Sequence, residues 1–250
     1  MRRALLAVLV LIANSAAVRA DSIKLLTTGA FKPAAQDIVA SFERQSGHRV
    51  TVVNDTAGAL SQRVARGEKF DVLVLTQEGL DALAGSGRIV DLSITPLAKV
   101  GIGVGVSLSA PTPDITSVEG FRRTLLAARS VAYIDPASGG SSGIYLTRLF
   151  QSMGIAAEIA GKAVLVRGGT AGDRVARGEA DIALQQASEI KIVPGIRFAG
   201  LLPEQIQNYT IYSGAVAADS AAPQAAVELL AAFSDSSADP ILKRRGLEMP

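Results

Sequence analysis

Short apolar segments rich in β-branched residues alternate with helical patterns along most of the chain. Strands are predicted at residues 23–27, 49–53, 70–75, 131–134, 163–166 and 181–184. Helices are predicted between them at residues 33–46, 60–66, 143–153 and 170–177. The first helix has the clearest periodicity, with apolar residues at i, i+3, i+4 and i+7 before Gly47. Strands joined through helices pair in parallel, with the helices on the sheet faces, so the pattern predicts an α/β fold.

One internal repeat bears on the number of units. Residues 63–68 read Arg-Val-Ala-Arg-Gly-Glu, and the same six residues return at 174–179. Each copy is followed by a strand that opens near an aspartate, at Asp71 and Asp181. Two similar helix exits can arise by chance. The alternative is two lobes of like construction, 111 residues apart along the chain.

Alternating glycines favour the two-lobe interpretation. In the segment 101–106 every second residue is glycine, which lets another part of the chain approach one face of a strand closely. We interpret this segment as a first crossing between lobes and residues 209–216 as the return crossing. The predicted lobe 1 then comprises residues 21–98 and 207–250, and lobe 2 comprises residues 99–206.

The first twenty residues have the order of regions found in a secretory signal peptide. Arg2 and Arg3 precede an apolar run from Ala4 to Ala13, and small or modest side chains precede a cleavage position after Ala20. The run is much shorter than the ~20 residues that span a bilayer. The sequence therefore predicts a protein that is exported to the periplasm, cleaved and not embedded in the membrane.

The amino-acid composition limits the functions that the chain can have. Without residues 1–20 the chain has 22 basic and 23 acidic residues, and no basic run is interleaved with aromatic residues, so no nucleic-acid partner is predicted. Cysteine is absent and His48 is the single histidine. With neither a nucleophile–base pair nor a metal ligand set, we predict no cofactor, no metal, no catalytic residue and no enzymatic activity. A catalytic carboxylate pair formed by Asp71 and Asp181 remains an alternative, although both residues lie at strand starts, away from the expected ligand end of the sheet.

Four loops predict where a ligand binds. They span residues 27–30, 55–58, 138–143 and 167–170, and each lies between a strand and a helix. In open α/β sheets, ligands lie beyond the carboxyl ends of the strands. The loops are rich in glycine, serine and threonine, and helix N-termini there present free N–H groups to anions. Each loop alone can be an ordinary helix cap. Four at corresponding places predict a convergent anion site.

At these loops the chain resembles the substrate-binding proteins of molybdate-type ABC importers. The resemblance covers most of residues 23–250, and its most specific stretches are 57–83, 135–145, 178–181 and 239–250. It implies the type II periplasmic binding protein fold, in which each lobe is a mostly parallel sheet flanked by helices and two crossing segments join the lobes. It also implies a monomer that closes on its ligand and docks on an ABC permease.

The resemblance also implies which positions contact the ligand. Family members carry serines where this chain has Ala30 and either Ala57 or Gly58, and a tyrosine where it has Gln186. Backbone N–H groups at Ser142 and Gly168 are retained. The predicted ligand-binding residues are Thr27, Thr28, Gly29, Ala30, Thr56, Ala57, Gly58, Ser141, Ser142, Gly143, Arg167, Gly168, Gly169, Thr170 and Gln186.

The predicted function is capture of a small anion and its delivery to an ABC importer. A small carboxylate and a tetrahedral oxyanion both remain open, because Arg167 suits a carboxylate if its side chain points inward. The alternative function is a sensing module that presents its closed form to a membrane sensor or chemoreceptor. An enzyme on this fold would instead turn its ligand over.

Overall fold

Two five-stranded sheets organise the chain. The computed structural model describes residues 20–250, so the predicted signal peptide lies outside the described residues except for Ala20. The sheets have strand orders β2-β1-β3-β10-β4 and β7-β6-β8-β5-β9. Each sheet is the centre of one lobe, which confirms the predicted two-lobed α/β fold.

The first lobe is built from both ends of the described chain. Its strands are β1 (Ser22–Thr28), β2 (Arg49–Asp55), β3 (Val72–Thr76), β4 (Thr95–Val100) and β10 (Thr210–Val216). Its helices are α1 (Lys32–Ser46), α2 (Ala57–Ala65), α3 (Gln77–Asp81), α9 (Pro223–Ser234) and α10 (Asp239–Arg244). Strand β1 pairs in parallel with β2 and β3, whereas β10 runs antiparallel between β3 and β4. The sheet is therefore mixed.

The second lobe repeats this arrangement. Its strands are β5 (Ile102–Ser107), β6 (Val131–Ile134), β7 (Ala163–Val166), β8 (Ile182–Gln186) and β9 (Ile196–Leu201). Its helices are α4 (Val118–Ala127), α5 (Ser141–Ser152), α6 (Ala156–Ala160), α7 (Ala171–Ala176) and α8 (Ala187–Lys191). Strand β6 pairs in parallel with β7 and β8, and β5 runs antiparallel between β8 and β9. In both sheets one antiparallel strand thus lies between three parallel strands and an edge strand.

The predicted strands are all present, and their ends differ from the predicted ones by two residues at most. Strand β3 is buried on both faces, as its continuous apolar sequence indicates. Helix α1 ends at Gly47, whose φ of 78° is left-handed. Helix α2 begins earlier than its apolar spacing indicates, at Ala57, because the Thr56 hydroxyl accepts a hydrogen bond from Ala59 N and caps the helix.

Each sheet is covered on both faces by helices. In the first lobe α1, α9 and α10 pack on one face, and α2 and α3 pack on the other. In the second lobe α4, α5 and α6 cover one face, and α7 with α8 covers the other. The buried side chains hold each sheet rigid, so the loops at the strand ends have fixed positions.

The six-residue repeat lies at equivalent places in the two lobes. Each copy spans the end of a helix, α2 or α7, and the turn that follows it, just before the third parallel strand of its sheet. In both copies the first arginine pairs with the last glutamate, Arg63 with Glu68 at 2.5 Å and Arg174 with Glu179 at 2.8 Å. Gly67 and Gly178 adopt positive φ. The repeat is thus a shared way of turning from a helix into a strand.

Two stretches of chain pass between the lobes. Strand β4 of the first sheet continues through Gly101 into β5 of the second, and the chain returns from β9 to β10. The Gln207 side chain binds both backbone groups of Ile102, with its oxygen accepting at 2.8 Å and its nitrogen donating at 2.9 Å. A Cβ on Gly101 would lie 3.0 Å from the Gln207 amide. The two crossings therefore touch each other, and the glycine makes room for that contact.

Within residues 20–250, no helix combines the length and apolar character needed to cross a bilayer. The same residues contain no cluster of three or more acidic, histidine or cysteine side chains with the arrangement of a metal site.

Candidate functional site

A cavity of about 200 Å³ lies between the lobes, at the carboxyl ends of the parallel strands. The first lobe contributes Thr28, Gly29, Ala30, Asn54, Asp55, Thr56, Ala57 and Tyr212. The second lobe contributes Ile134, Gly140, Ser141, Ser142, Val166, Arg167, Gly168, Gly169, Gln185, Gln186 and Glu189. The position agrees with the rule for open α/β sheets.

Direct contacts hold the lobes together around the cavity. The Gly58 N–H donates to the Gly139 carbonyl at 3.0 Å, and the Ser188 hydroxyl donates to the Ala30 carbonyl at 2.8 Å. The Thr56 hydroxyl also donates to a backbone carbonyl of the second lobe. A Cβ on Gly58 would lie only 2.8 Å from the Gly139 Cα atom. The lobes are therefore in a closed arrangement that requires two backbones to touch.

Eleven of the fifteen predicted ligand-binding residues line the cavity. They are Thr28, Gly29, Ala30, Thr56, Ala57, Ser141, Ser142, Arg167, Gly168, Gly169 and Gln186. Loops from four strand ends thus meet at one place. That these residues bind a ligand remains a prediction.

The other four predicted residues are used by the fold instead. Thr27 is fully buried and its hydroxyl contacts a neighbouring carbonyl, and Gly58 contacts the opposite lobe. Gly143 packs against strand β6, where a Cβ would lie 2.1 Å from the Ile134 carbonyl oxygen. Thr170 caps α7 in a reciprocal pair with an aspartate.

Helix α5 presents its N-terminus to the cavity without a capping side chain. Its N-cap residue is Gly140, and Ser141 and Ser142 of its first turn line the cavity. Helices α2 and α7, which also start beside the cavity, are capped by Thr56 and Thr170, whereas the side chain of Gln186, the N-cap residue of the short helix α8, does not cap that helix. The positive dipole end of α5 and its first-turn N–H groups, of which the Ser142 N–H is shared with the Gln186 oxygen, therefore face the cavity and suit an anion.

Gln186 connects α5 to an acidic residue. Its amide satisfies its neighbours when the oxygen accepts from the Ser141 hydroxyl at 2.8 Å and from the Ser142 N–H at 3.3 Å. The amide nitrogen then donates to the Ser142 hydroxyl at 3.0 Å and to the Glu189 carboxylate at 3.2 Å. Gln186 thus fixes Glu189 relative to the helix N-terminus.

Glu189 is the acidic group with the most perturbed environment in the cavity. Burial raises its pKa from the usual 4.5 to about 7, and a hydrogen bond from Gln185 partly opposes that rise. A Cβ on Gly29 would lie 2.6 Å from a Glu189 carboxylate oxygen, so the carboxyl group abuts the opposite lobe. A carboxyl group that gains and loses its proton near neutral pH is suited to acid–base chemistry.

Tyr212 enters the cavity from the returning strand β10. It is 2% exposed, and its hydroxyl lies 3.3 Å from the Ser141 hydroxyl of the second lobe. Burial holds the pKa of Tyr212 above its usual value, so the phenol is neutral and able to donate.

The fixed charges and one free hydroxyl complete the site. Arg167 is the one basic residue that the described part of the chain places in the wall; its side chain is 83% exposed at the mouth, and its Nε donates to Asp135 at 2.8 Å. That hydrogen bond lowers the pKa of Asp135. Asp55 is paired with Arg63 at 3.2 Å. The Thr28 hydroxyl oxygen is buried and has no partner within residues 20–250, so it is available to a ligand atom.

Sequence reasoning missed Glu189 and Tyr212. Glu189 belongs to no motif, and its one available signal is its position just after the end of buried strand β8. Tyr212 reaches the cavity only because β10 inserts between β3 and β4, which the local pattern does not indicate. The alternative carboxylate pair does not lie in the cavity wall, since Asp71 accepts hydrogen bonds from the backbone of Lys24 and Ala221, and Asp181 pairs with Arg129.

We predict that Glu189→Gln stabilises the ligand-free protein above pH 7. The folded state raises the carboxyl pKa, so the stability associated with Glu189 is complete below about pH 4.5 and is lost as the pH rises through about 7. At about 1.36 kcal/mol per pKa unit, the loss is on the order of 3 kcal/mol at pH 8. Urea unfolding at pH 4.5 and pH 8 checks this, because the two proteins should differ only at the higher pH. An equal pH dependence would contradict the prediction.

Comparison with protein families gives a match over residues 23–248. The matching family model describes bacterial extracellular solute-binding proteins. This description agrees with the prediction of an exported protein, while the predicted cleavage after Ala20 stays a prediction.

A curated relative corrects one prediction. Aconitate isomerase from Pseudomonas sp. is 35% identical over 239 residues, which cover 93% of this chain and 90% of the relative. The relative carries the name of an enzyme, so the prediction that this chain has no enzymatic activity is wrong. The error has a physical reason. The lack of histidine pairs and cysteine does not exclude acid–base chemistry by a desolvated carboxyl group such as Glu189.

Solved structures agree on the fold. The periplasmic molybdate-binding protein of Azotobacter vinelandii has a TM-score of 0.78 at 18% identity, with 91% of this chain and 99% of that chain covered. A sulfate-binding protein from Mycobacterium tuberculosis has a TM-score of 0.71 at 16% identity, with 92% and 87% covered. The predicted resemblance to molybdate-type binding proteins and the predicted type II fold are confirmed.

Proposed function

The chain belongs to the bacterial extracellular solute-binding proteins, and from that premise we propose that it closes on a small polycarboxylate anion and isomerises it. The single observation that carries the proposal is the position of Glu189, whose carboxyl group lines the closed cavity beside the α5 N-terminus, where burial raises its pKa to about 7. The named activity of the relative makes aconitate the first substrate to test.

Binding is assigned to the polar parts of the wall. We assign one carboxylate of the ligand to the N-terminus of α5, where first-turn N–H groups and the positive end of the dipole meet the cavity. Arg167, whose Nε is held by Asp135, supplies the fixed positive charge for another carboxylate. The Thr28 hydroxyl is a third donor. This assignment favours a carboxylate over a tetrahedral oxyanion.

The reaction proposed is an allylic proton shift. In an unsaturated tricarboxylate such as aconitate, a CH₂ group lies between a carboxylate and the carbon–carbon double bond. Ionised Glu189 removes one CH₂ proton, the C–H electron pair moves into the allyl system, and the old double bond shifts by one carbon. Protonated Glu189 then returns the proton to the far allyl carbon. Cis and trans isomers interconvert with no oxidant or reductant.

The environment of Glu189 suits both half-reactions. A base with a pKa near the working pH is ionised often enough to accept a proton and acidic enough to return it. Gln186 holds the carboxyl group by a 3.2 Å hydrogen bond, which fixes its direction relative to the α5 N-terminus. Closure around the cavity excludes water that would otherwise solvate the carboxylate.

A thermal-shift panel on the protein without residues 1–20 tests the ligand class. We expect cis- and trans-aconitate and saturated tricarboxylates to raise the melting temperature, because a ligand at about 100 times its Kd adds roughly 2.7 kcal/mol of stability. Molybdate and sulfate serve as the competing class. A response to molybdate or sulfate alone would overturn the polycarboxylate assignment.

Turnover is measured on the same protein. Proton NMR of trans-aconitate incubated with the protein should show the cis isomer growing until both reach equilibrium, and in D₂O the allylic position should take up deuterium. If ligand that binds is recovered without isomerisation or exchange, the proposed reaction is ruled out.

Solute capture is the second candidate function, and membership of the solute-binding family is the observation that favours it. For this function, lobe 1 (residues 21–98 and 207–250) and lobe 2 (residues 99–206) move as units. The closed monomer docks on an ABC permease in the periplasm. A sensing role differs only in the membrane partner. Loss of uptake of the stabilising anion in cells lacking the gene, without loss of isomerase activity in extracts, would favour capture.

A further inference from the structure

We propose that Tyr212 and Ser141 form a catalytic donor pair that stabilises the carbanion intermediate. The inference rests on the proposed isomerisation and adds two residues with a second catalytic role in the same cavity. Glu189 moves the proton, and Tyr212 donates a hydrogen bond from its hydroxyl group to the oxygen atoms on which negative charge accumulates. The Ser141 hydroxyl, which donates to Gln186 in the ligand-free protein, turns to the same oxygen atoms when the ligand binds.

The geometry places the two hydroxyls beside the anion-binding helix end. Ser141 is the first residue of α5, and the Tyr212 hydroxyl lies 3.3 Å from its Oγ atom. Both residues line the cavity. A carboxylate at the α5 N-terminus therefore lies in the part of the wall that contains both hydroxyl groups.

The Tyr212 hydroxyl is weakly engaged and free to turn to a ligand. Hydrogen bonds between hydroxyl groups are usually about 2.7–2.8 Å long, so its 3.3 Å contact with Ser141 is weak. The residue is 2% exposed, which leaves bulk water little access to the phenol. A buried hydroxyl requires a strong partner, and a ligand oxygen in the cavity supplies one.

The chemistry of the intermediate explains why a neutral phenol belongs there. Removal of a proton next to a carboxylate puts a second negative charge on that group, which is the main barrier to the reaction. Donors aimed at the developing charge in a dry site lower such barriers strongly. The buried phenol of Tyr212 stays protonated, so it remains a donor throughout the working pH range.

The pair also joins the two lobes. Tyr212 belongs to β10 of the first lobe, and Ser141 belongs to α5 of the second. Their hydroxyl groups come together only when the lobes are closed, as they are here. Because the donor pair is assembled by closure, an open protein holds no complete site, which couples catalysis to capture of the correct ligand.

Tyr212→Phe tests the proposal, with Ser141→Ala as its partner. We expect kcat for aconitate isomerisation to fall roughly tenfold to a hundredfold in Tyr212→Phe, because one donor to the developing charge is lost. Binding of the saturated tricarboxylate should change less than threefold. Tyr209→Phe is the matched control, since Tyr209 is 49% exposed and does not line the cavity.

A carbanion mimic gives a readout besides turnover. An analogue with a nitronate in place of the reacting carboxylate carries the extra charge on its oxygen atoms. Wild type should bind it more tightly than the saturated tricarboxylate, and Tyr212→Phe should lose that preference. Equal loss for both ligands would overturn the catalytic assignment and leave only a binding role.

The outcomes separate this inference from the proposed function. If the wild type neither isomerises aconitate nor exchanges its allylic proton, the proposed function fails and the donor pair fails with it. If the wild type is active and Tyr212→Phe keeps full kcat and nitronate preference, only the donor pair is wrong. A melting temperature within two degrees of wild type shows that each variant is folded.

Discussion

Glu189→Gln is expected to reduce aconitate isomerisation by on the order of 10²–10⁴-fold while the protein still binds the anion. The amide has nearly the shape of the carboxyl group and keeps a hydrogen-bonding partner for Gln186, so the wall of the cavity is retained. The variant loses the proton-accepting carboxyl group, whose pKa is about 7. Affinity for tricarboxylates should stay equal or rise, because a negative charge has been removed from beside an anion.

Glu158→Gln is the control for this variant. Glu158 lies on the exposed first turn of α6 and does not line the cavity, so its replacement should leave kcat and affinity unchanged. Calorimetric titration with a saturated tricarboxylate measures affinity, and NMR measures turnover and deuterium exchange. A Glu189→Gln protein with wild-type turnover would show that another group carries the proton.

The pH profile gives an independent check on the same residue. In the wild type, kcat/KM should rise with pH through the pKa of ligand-free Glu189, near 7, because the ionised form removes the proton. Tyr212 does not contribute to the rise, since its phenol is neutral across this range, and the carboxyl ionisations of aconitate are accounted for by titrating the substrate alone. A profile that is flat between pH 5 and 8 would exclude Glu189 as the base in the free protein.

The fold was predictable because the strands carry their own signals. Strand β3 is apolar on both faces, and helix α1 repeats its apolar residues with helical spacing and ends at Gly47. All of these signals are local in the sequence. The loops of the site were predictable for a related reason. Parallel strands that alternate with helices bring their carboxyl ends to one edge, so glycine and serine loops far apart in sequence meet there.

The reactive groups were not predictable by the same means. Whether a glutamate is a surface charge or a base near pH 7 depends on how far it is desolvated, and neighbouring residues in the sequence do not encode that. Burial raises the pKa of Glu189, and its carboxyl group abuts Gly29 of the other lobe, which is distant in the sequence. Tyr212 reaches Ser141 only through the returning strand. Residue types alone therefore led to the wrong conclusion about catalysis.

Gly58→Ala is expected to leave the protein folded and to weaken ligand binding by on the order of a hundredfold. Gly58 lies in the first turn of α2, where alanine favours the helix by up to about 1 kcal/mol, so the variant should unfold at an equal or higher urea concentration. In the closed arrangement its new methyl group would lie 2.8 Å from the Gly139 Cα atom, well inside van der Waals contact.

That clash destabilises only the closed arrangement of the lobes. Both contacting atoms belong to backbone, one at a helix start and one in a tight turn, so neither can move aside as a flexible side chain does. Keeping the lobes apart also breaks the 3.0 Å hydrogen bond from Gly58 to Gly139. Affinity falls in proportion to the loss of the closed, binding-competent state. Turnover falls with it, since Tyr212 of the first lobe meets Ser141 and Glu189 of the second only when the lobes are closed.

Gly161→Ala supplies the matched control, because a Cβ there meets its nearest atom at an ordinary 3.7 Å. Gly139→Ala is less informative, since Gly139 has a φ of 74° and alanine would also strain the turn. Calorimetry gives the affinities, and small-angle X-ray scattering with and without ligand reports compaction. With ligand present, wild type and Gly161→Ala should both be compact, whereas Gly58→Ala should stay extended. If Gly58→Ala binds as tightly and compacts as fully as wild type, the contact between the two glycines is not part of closure, and the link from closure to catalysis must run through other residues.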